Sequence, residues 1–112
     1  MSNPNGKKGS QKHQDVQKKE FEKAQQEFKT QSETVKVDKE VSVSTPNGKK
    51  KSRVADVAVF SKKSPLKFLK IIQIGKTDKS GKPVVREQEA IEDIESHYDI
   101  NVDFIDYKKY NL

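Results

Sequence analysis

The chain has 112 residues, with 23 Lys and Arg against 17 Asp and Glu, so its formal net charge is +6. Only 30% of the residues are hydrophobic and 36% are charged, which limits the chain to one small core and predicts disorder outside it. The absence of cysteine excludes a disulfide scaffold, a thiolate zinc site and a cysteine nucleophile. Neither a transmembrane run of about 20 apolar residues nor a signal peptide is present, so no membrane partner is expected.

The charge is concentrated in the middle of the chain. Residues 36–82 hold thirteen Lys and Arg against four acids, whereas residues 83–112 hold three against eight. A segment this basic predicts attraction to a polyanion, of which nucleic acid is the commonest. The alternative interpretation is a lysine-rich surface that only keeps the protein in solution.

The first predicted element is a helix. Residues 1–10, rich in Gly, Asn, Ser and Lys, are predicted to be a disordered tail, and residues 11–112 to form a single domain. Residues 11–29 contain no Gly or Pro and carry a sparse apolar stripe. Glu20 falls on or beside that stripe, and His13 lies one turn before its first member on the same side. The stripe consists of Val16, Phe21, Ala24 and Phe28.

Three strands and a second helix are predicted next. Apolar and polar residues alternate over residues 34–44, which predicts a strand that a break near Asp38 and Lys39 could divide in two. Residues 53–60 form the next strand. The turn between them makes a hairpin with a basic tip, Lys49, Lys50 and Lys51. Residues 66–74 are the more apolar third strand, and Pro83 is expected to open a helix to about Tyr98 with its acids on the outside.

A final strand over residues 100–107 completes the order αβββαβ. This order predicts an α/β fold in which a hairpin gives an antiparallel pair and the helical crossover lets the last strand lie parallel to a neighbour. The second and third strands are expected to be the middle strands of this mixed sheet.

Two polar residues interrupt those middle strands. Asp56 lies inside RVADVAV and Gln73 inside LKIIQI, where an unpaired polar group is costly. If the strands are neighbours, Asp56 and Gln73 lie close together, and Glu20 from a helix on the same face would complete a set of oxygen ligands. Such ligands suit Mg²⁺ or Mn²⁺. Lys76 points away by strict alternation, unless a bulge at Gly75 returns it to the same side.

Each residue also has a structural interpretation. Asp56 could be an edge-strand charge that faces solvent, and Gln73 could be a core amide bonded to backbone groups. Glu20 could belong to the helix surface, and His13 could be a surface residue at the helix start. Lys76 alone carries little information in a chain with so many lysines.

The combination resembles the PD-(D/E)XK nuclease superfamily, which has a restriction-endonuclease-like αβββαβ core. Residues 52–57 (SRVADV), 72–76 (IQIGK) and 81–94 (GKPVVREQEAIEDI) resemble C-terminal nuclease domains of bacterial polymorphic toxins. These include contact-dependent growth inhibition and Rhs-type effectors. The resemblance covers roughly residues 10–107 and implies a nuclease toxin domain with a cognate immunity protein. It also implies export within a larger effector and action in the target-cell cytoplasm; a free-standing protein would be cytoplasmic.

The resemblance assigns roles to individual residues. Asp56, Glu20 and Gln73 would bind the metal, Mg²⁺ or Mn²⁺ with Zn²⁺ as a further option, and Lys76 would be the catalytic lysine. Gln73 replaces the usual Glu, and one extra residue precedes Lys76. Glu87 would support Lys76 or Arg86. Arg86 would contact phosphate. By its charge, independently of the resemblance, the basic hairpin tip is expected to hold the phosphate backbone, and the candidate substrate contacts are therefore Arg53, Lys49, Lys50, Lys51, Arg86 and His13.

Three hypotheses follow. The first is a metal-dependent endonuclease, with DNA favoured over RNA and tRNA as an alternative substrate. The second is a basic nucleic-acid-binding module without catalysis. The third is a small interaction protein whose lysines serve only solubility.

Overall fold

The computed structural model describes residues 11–63 and 67–110, so the predicted tail over residues 1–10 lies outside the described residues. The elements follow the predicted order. They are helix α1 (Gln11–Glu27), a short 3₁₀ turn (Lys29–Gln31), strands β1 (Val35–Ser44), β2 (Ser52–Ser61) and β3 (Phe68–Gly75), helix α2 (Val85–His97) and strand β4 (Val102–Asp106). The chain is an α/β domain with a mixed sheet and two helices.

The four strands lie in the order β1-β2-β3-β4. The pairs β1–β2 and β2–β3 are antiparallel, and β4 runs parallel to β3. The prediction that β2 and β3 occupy the middle of the sheet is therefore confirmed, as is the parallel placement of the last strand after a helical crossover.

The helices cover opposite faces of the sheet. On one face, α1 buries Val16 and Ala24 against the strands, and the partly buried Phe21 and Phe28 pack beside them. On the other face, α2 contributes the fully buried Ile94. Both clusters are built on apolar residues of the middle strands: Val57, Val59, Ile72 and Ile74 on the α1 face, and Ala55, Ala58, Phe68 and Ile71 on the α2 face.

Helix α2 differs from its prediction at two points. It begins at Val85 rather than at Pro83, because Pro83 is held in an isolated bridge with Thr77. Not all of its acids lie outside: Asp93 is only 6% exposed. Asp93 directly precedes the buried Ile94 and lies three residues after the buried Ala90, so it falls at the inner edge of the helix.

Strand alternation breaks where β1 and β2 pass Glu40 and Asp56. Glu40 has φ of 53°, a left-handed value that is uncommon for a residue other than glycine. It lies between the residues that pair with Val57 and Ala55, opposite Asp56. Ala55 and Ala58 belong to the same core cluster although they are three residues apart. The two strands therefore turn together at this point, and Asp56 does not follow simple strand alternation.

Beyond this turn β2 and β3 separate. Their pairing extends from Phe60↔Phe68 to Val57↔Ile72. Val54 and Ala55 of β2 then pair with β1, and residues 73–75 of β3 pair with β4. We call this divergence of residues 54–56 from residues 73–75 the fork.

Candidate functional site at the strand fork

The side chain of Gln73 spans the fork. Its Oε1 accepts a hydrogen bond from the backbone N–H of Asp56 at 2.9 Å, and its Nε2 donates to the carbonyl of Val54 at 3.3 Å. Gln73 is buried. A buried backbone group must find a partner wherever strand pairing stops. The amide of Gln73 is the partner of two such groups. Its oxygen accepts the hydrogen bond from Asp56, and its nitrogen donates the one to Val54.

Asp56 supports the opposite side of the fork. Its Oδ2 accepts a hydrogen bond from the backbone N–H of Ile74 at 2.8 Å. Its own backbone carbonyl accepts a bond from Nε2 of Gln17, on α1, at 2.9 Å. The second carboxylate oxygen, Oδ1, lies 3.7 Å from Nε2 of His13. One oxygen of Asp56 therefore has a structural partner, and the other is directed toward an imidazole.

His13 enters the fork from α1. Its Nε2 lies 3.0 Å from the carbonyl oxygen of Ile74, the strand group that would face β2 if pairing continued. Its ring meets the ring of Tyr107 edge to face, with centroids 5.7 Å apart. The predicted position of His13 on the inner side of α1 is confirmed by these contacts.

Glu87 approaches the fork from the first turn of α2. Its carboxylate occupies the space that a side chain at position 75 would need, because a Cβ built on Gly75 would overlap it. Gly75 is buried at the end of β3. The glycine thus leaves room for a carboxylate beside the fork.

Electrostatics mark Asp56 and Glu87 as unusual carboxylates. Burial raises the pKa of Asp56 to about 6; the Ile74 N–H and His13 oppose this rise, whereas the charges of Glu87 and Glu40 add to it. Burial also raises the pKa of Glu87, against the opposing effect of Arg86 and His13. Asp56 on β2 and Glu87 on α2 are thus two perturbed carboxylates at the fork, a feature that favours a functional site.

The fork supplies few groups that could hold a metal ion. Among the described residues, no three His, Cys, Asp or Glu side chains form a group that could hold a metal ion. Mg²⁺ is commonly held by only one or two protein carboxylates, together with water and substrate phosphate. Asp56 and Glu87 are the carboxylates at the fork that could contribute to such a site, and a cation there would offset the smaller part of the rise in the pKa of Asp56 that comes from the charge of Glu87.

Glu20 does not contact Asp56 or Gln73. It is buried as its position on the helix predicted, but its Oε2 accepts a hydrogen bond from the hydroxyl of Tyr110 at 2.6 Å and another from Lys23 at 3.2 Å. The structure therefore brings Asp56, Gln73, His13 and Glu87 together. The carboxylate of Glu20 instead bonds to Tyr110.

Besides His13, two of the residues assigned to substrate have side-chain partners within the protein. Arg53 forms an ion pair with Asp93 at 2.7 Å, and both side chains are less than a tenth exposed. Lys49 pairs with Glu89 at 2.7 Å. Asp93 also accepts hydrogen bonds from the backbone N–H groups of Lys49 and Lys50, so it joins the hairpin tip to α2.

The remaining basic residues lie on the surface. Lys50, Lys51, Lys76 and Arg86 are exposed. The bulge predicted at Gly75 is not present, because the β3–β4 register runs without a shift to Gly75. Lys76 follows the end of the strand and does not enter the fork through a change of register.

Three participants were missed by the sequence analysis. Gln17 lies four residues after His13, so helical spacing placed both on one face. Asp93 directly precedes Ile94, an apolar residue of the same helix, and this position already placed it at the inner edge of α2. Glu40 had no such signal, because its role depends on the left-handed backbone opposite Asp56.

Comparisons with family models, curated proteins and solved structures find no match to this chain. Neither of the helices in residues 11–63 and 67–110 is long and apolar enough to cross a membrane.

Proposed function

We propose that this domain is a divalent-cation-dependent nuclease whose active site is the strand fork. The observation that carries the proposal is that two carboxylates with raised pKa lie at the separation of two central strands, Asp56 3.7 Å from His13 and Glu87 against Gly75. The αβββαβ order and mixed sheet are compatible with a restriction-endonuclease-like core. The basic segment over residues 36–82 supplies attraction to a polyanionic substrate.

The proposed roles follow the geometry of the fork rather than the initial assignment. Oδ1 of Asp56 and the carboxylate of Glu87 would hold the cation, while Gln73 and Oδ2 of Asp56 keep the split strands in place. When bound, a divalent cation lowers the pKa of water and offsets charge on a phosphate. His13, 3.7 Å from Asp56, would be the group that exchanges a proton with a reacting oxygen.

The substrate assignment rests on charge and exposure. Lys50, Lys51, Lys76 and Arg86 are exposed and would contact phosphates, which positions the backbone without reading sequence. We therefore propose low sequence specificity, with DNA favoured over RNA and tRNA as the alternative. Action as a toxin domain blocked by an immunity protein is part of the same proposal, and its support is the resemblance of residues 52–57, 72–76 and 81–94.

A non-catalytic nucleic-acid-binding module is the second candidate. It is favoured by the hydrogen bonds at the fork, where Gln73 and one oxygen of Asp56 already serve the backbone. In this interpretation the polar cluster only supports the divergence of β2 from β3, and the exposed lysines account for all binding.

Cleavage assays separate the two candidates. Purified protein is incubated with supercoiled plasmid or tRNA in Mg²⁺, Mn²⁺ or EDTA. The nuclease proposal predicts scission only with the cation, and a loss of about 100-fold or more in Asp56→Asn and Glu87→Gln. Glu92→Gln is the matched control, since Glu92 is an exposed glutamate of the same helix. Salt-dependent binding without scission in any cation would favour the binding module, and scission in EDTA would remove the cation from the proposal.

A further inference from the structure

The segment that follows β4 is fixed where the fork ends. The backbone N–H of Tyr107 donates to the carbonyl of Gly75 at 3.1 Å. Just before it, Oδ2 of Asp106 accepts a hydrogen bond from the hydroxyl of Thr77 at 2.5 Å, and Oδ1 accepts one from the N–H of Lys108 at 2.9 Å. The start of the segment is thereby attached to the same glycine that faces Glu87.

From this anchor the segment passes along α1. Nζ of Lys12 donates to the carbonyl of Lys108 at 3.1 Å, and the Tyr107 ring lies edge to face against His13. The hydroxyl of Tyr110 donates to Glu20 at 2.6 Å. The contacts reach α1 in its first turn and again two turns later.

Apolar packing alone fixes α1 weakly. Val16 and Ala24 are its only buried apolar residues, and both follow the turn that carries His13. Glu20 is 8% exposed, and a buried carboxylate is costly without hydrogen-bonding partners. Tyr110 is such a partner, so the last contact of the segment also permits the burial of α1 at Glu20.

We propose that residues 107–110 form a strap that sets the position of α1 over the fork, with Glu20 and Tyr110 as positioning residues. The strap connects Gly75 at one side of the fork to the helix that supplies His13 and Gln17 at the other. Loss of the contacts between the strap and α1 shifts the imidazole of His13 relative to Asp56 without unfolding the sheet. This proposal concerns the geometry of the fork and does not depend on the nuclease function.

Two variants test the strap in the full chain without substrate or cation. Tyr110→Phe removes only the hydroxyl, and Glu20→Leu removes the acceptor. We expect backbone amides of α1 near Val16 to exchange at least 5-fold faster in both, while the amide of Val59 in β2 keeps its protection. We also expect the NMR signals of the His13 ring to move, because the ring current of Tyr107 acts on them.

Two further variants complete the design. Glu20→Gln keeps an acceptor oxygen for Tyr110 and is expected to restore most of the protection lost in Glu20→Leu. Tyr98→Phe is the matched control, since the hydroxyl of Tyr98 bonds to Ser44 at 2.9 Å, away from α1. Unchanged exchange in α1, an equal loss of protection in α1 and β2, or unmoved His13 signals in Tyr110→Phe would each overturn the strap.

Discussion

Replacement of Asp56 by Asn tests the electrostatic description of the fork directly. Asn keeps an oxygen that can accept the hydrogen bond from Ile74, but it removes a charge that lies among other acids. The pKa of Asp56 rises from its ordinary 3.8 to about 6, first through burial. At 1.36 kcal/mol per pKa unit, this rise corresponds to about 3 kcal/mol.

The sign of the effect follows from proton linkage. A carboxyl whose pKa is higher in the folded state contributes stability that is fully present below pH 3.8 and is lost as the pH rises through about 6. Above pH 7 the folded protein therefore carries an ionised Asp56 at a cost of up to about 3 kcal/mol. We expect Asp56→Asn to be more stable than the natural protein by up to that amount at pH 8, and by nearly nothing at pH 4.

Urea denaturation in EDTA at pH 4, 6 and 8 measures this difference. The comparison between variants is essential, because Asp93 and Asp106 have lowered pKa values and contribute stability with the opposite pH dependence. Asp99→Asn, at an exposed position before β4, is the matched control and should show no pH-dependent gain. If Asp56→Asn is no more stable than the natural protein at pH 8, or gains equally at pH 4, the electrostatic argument for the fork is refuted.

Four further variants probe its surroundings. Asp93→Ala leaves a buried arginine unpaired and should lower the unfolding free energy by about 3 kcal/mol in urea titrations; an unchanged midpoint would contradict a structural ion pair. Gly75→Ala places a methyl group against the carboxylate of Glu87 and should lower the pKa of Asp56 in NMR titrations, because a displaced Glu87 repels it less. Lys50→Ala and Lys51→Ala should each reduce the slope of log Kobs for DNA against log salt by about one, whereas an unchanged slope would place the DNA elsewhere.

The sequence predicted the architecture because each element carries a local signal. The absence of Gly and Pro marks α1, and alternation with a Pro-Asn-Gly turn marks the hairpin. Helix and strand bounds depend on local hydrogen bonds, so errors were limited to the ends, as at Pro83. The predicted adjacency of Asp56 and Gln73 is confirmed by the hydrogen bond between them, because middle strands of a hairpin-built sheet are neighbours.

The partners of the buried charges were harder to predict. Periodicity placed Glu20 on the inner side of α1, which the structure confirms, but it could not reveal that the partner is Tyr110, ninety residues later. The same limit applies to Arg53, whose basic charge suggested phosphate, whereas Asp93 neutralises it. Periodicity fixes the side of an element that is buried, and only the tertiary fold determines which groups meet there.

The choice of Gln rather than Glu at position 73 follows from the hydrogen bonds at the fork. The side chain must accept from the N–H of Asp56 and donate to the carbonyl of Val54; an amide does both at neutral pH, whereas a carboxylate only accepts. Gln73→Glu would place a carboxylate oxygen against that carbonyl and add a charge beside Asp56. We expect it to destabilise the protein at pH 8 by about 1–3 kcal/mol, with a smaller loss at pH 4, where the acid is protonated and can donate.

Cation titration distinguishes this structural role from metal binding. If Gln73 serves the backbone, Gln73→Glu remains less stable than the natural protein at pH 8 even in saturating Mg²⁺. If position 73 is instead a metal ligand, the additional charge should tighten Mg²⁺ binding and recover the stability through ligand linkage. Recovery by Mg²⁺ would therefore contradict the assignment of Gln73 to the strands and return it to the metal site.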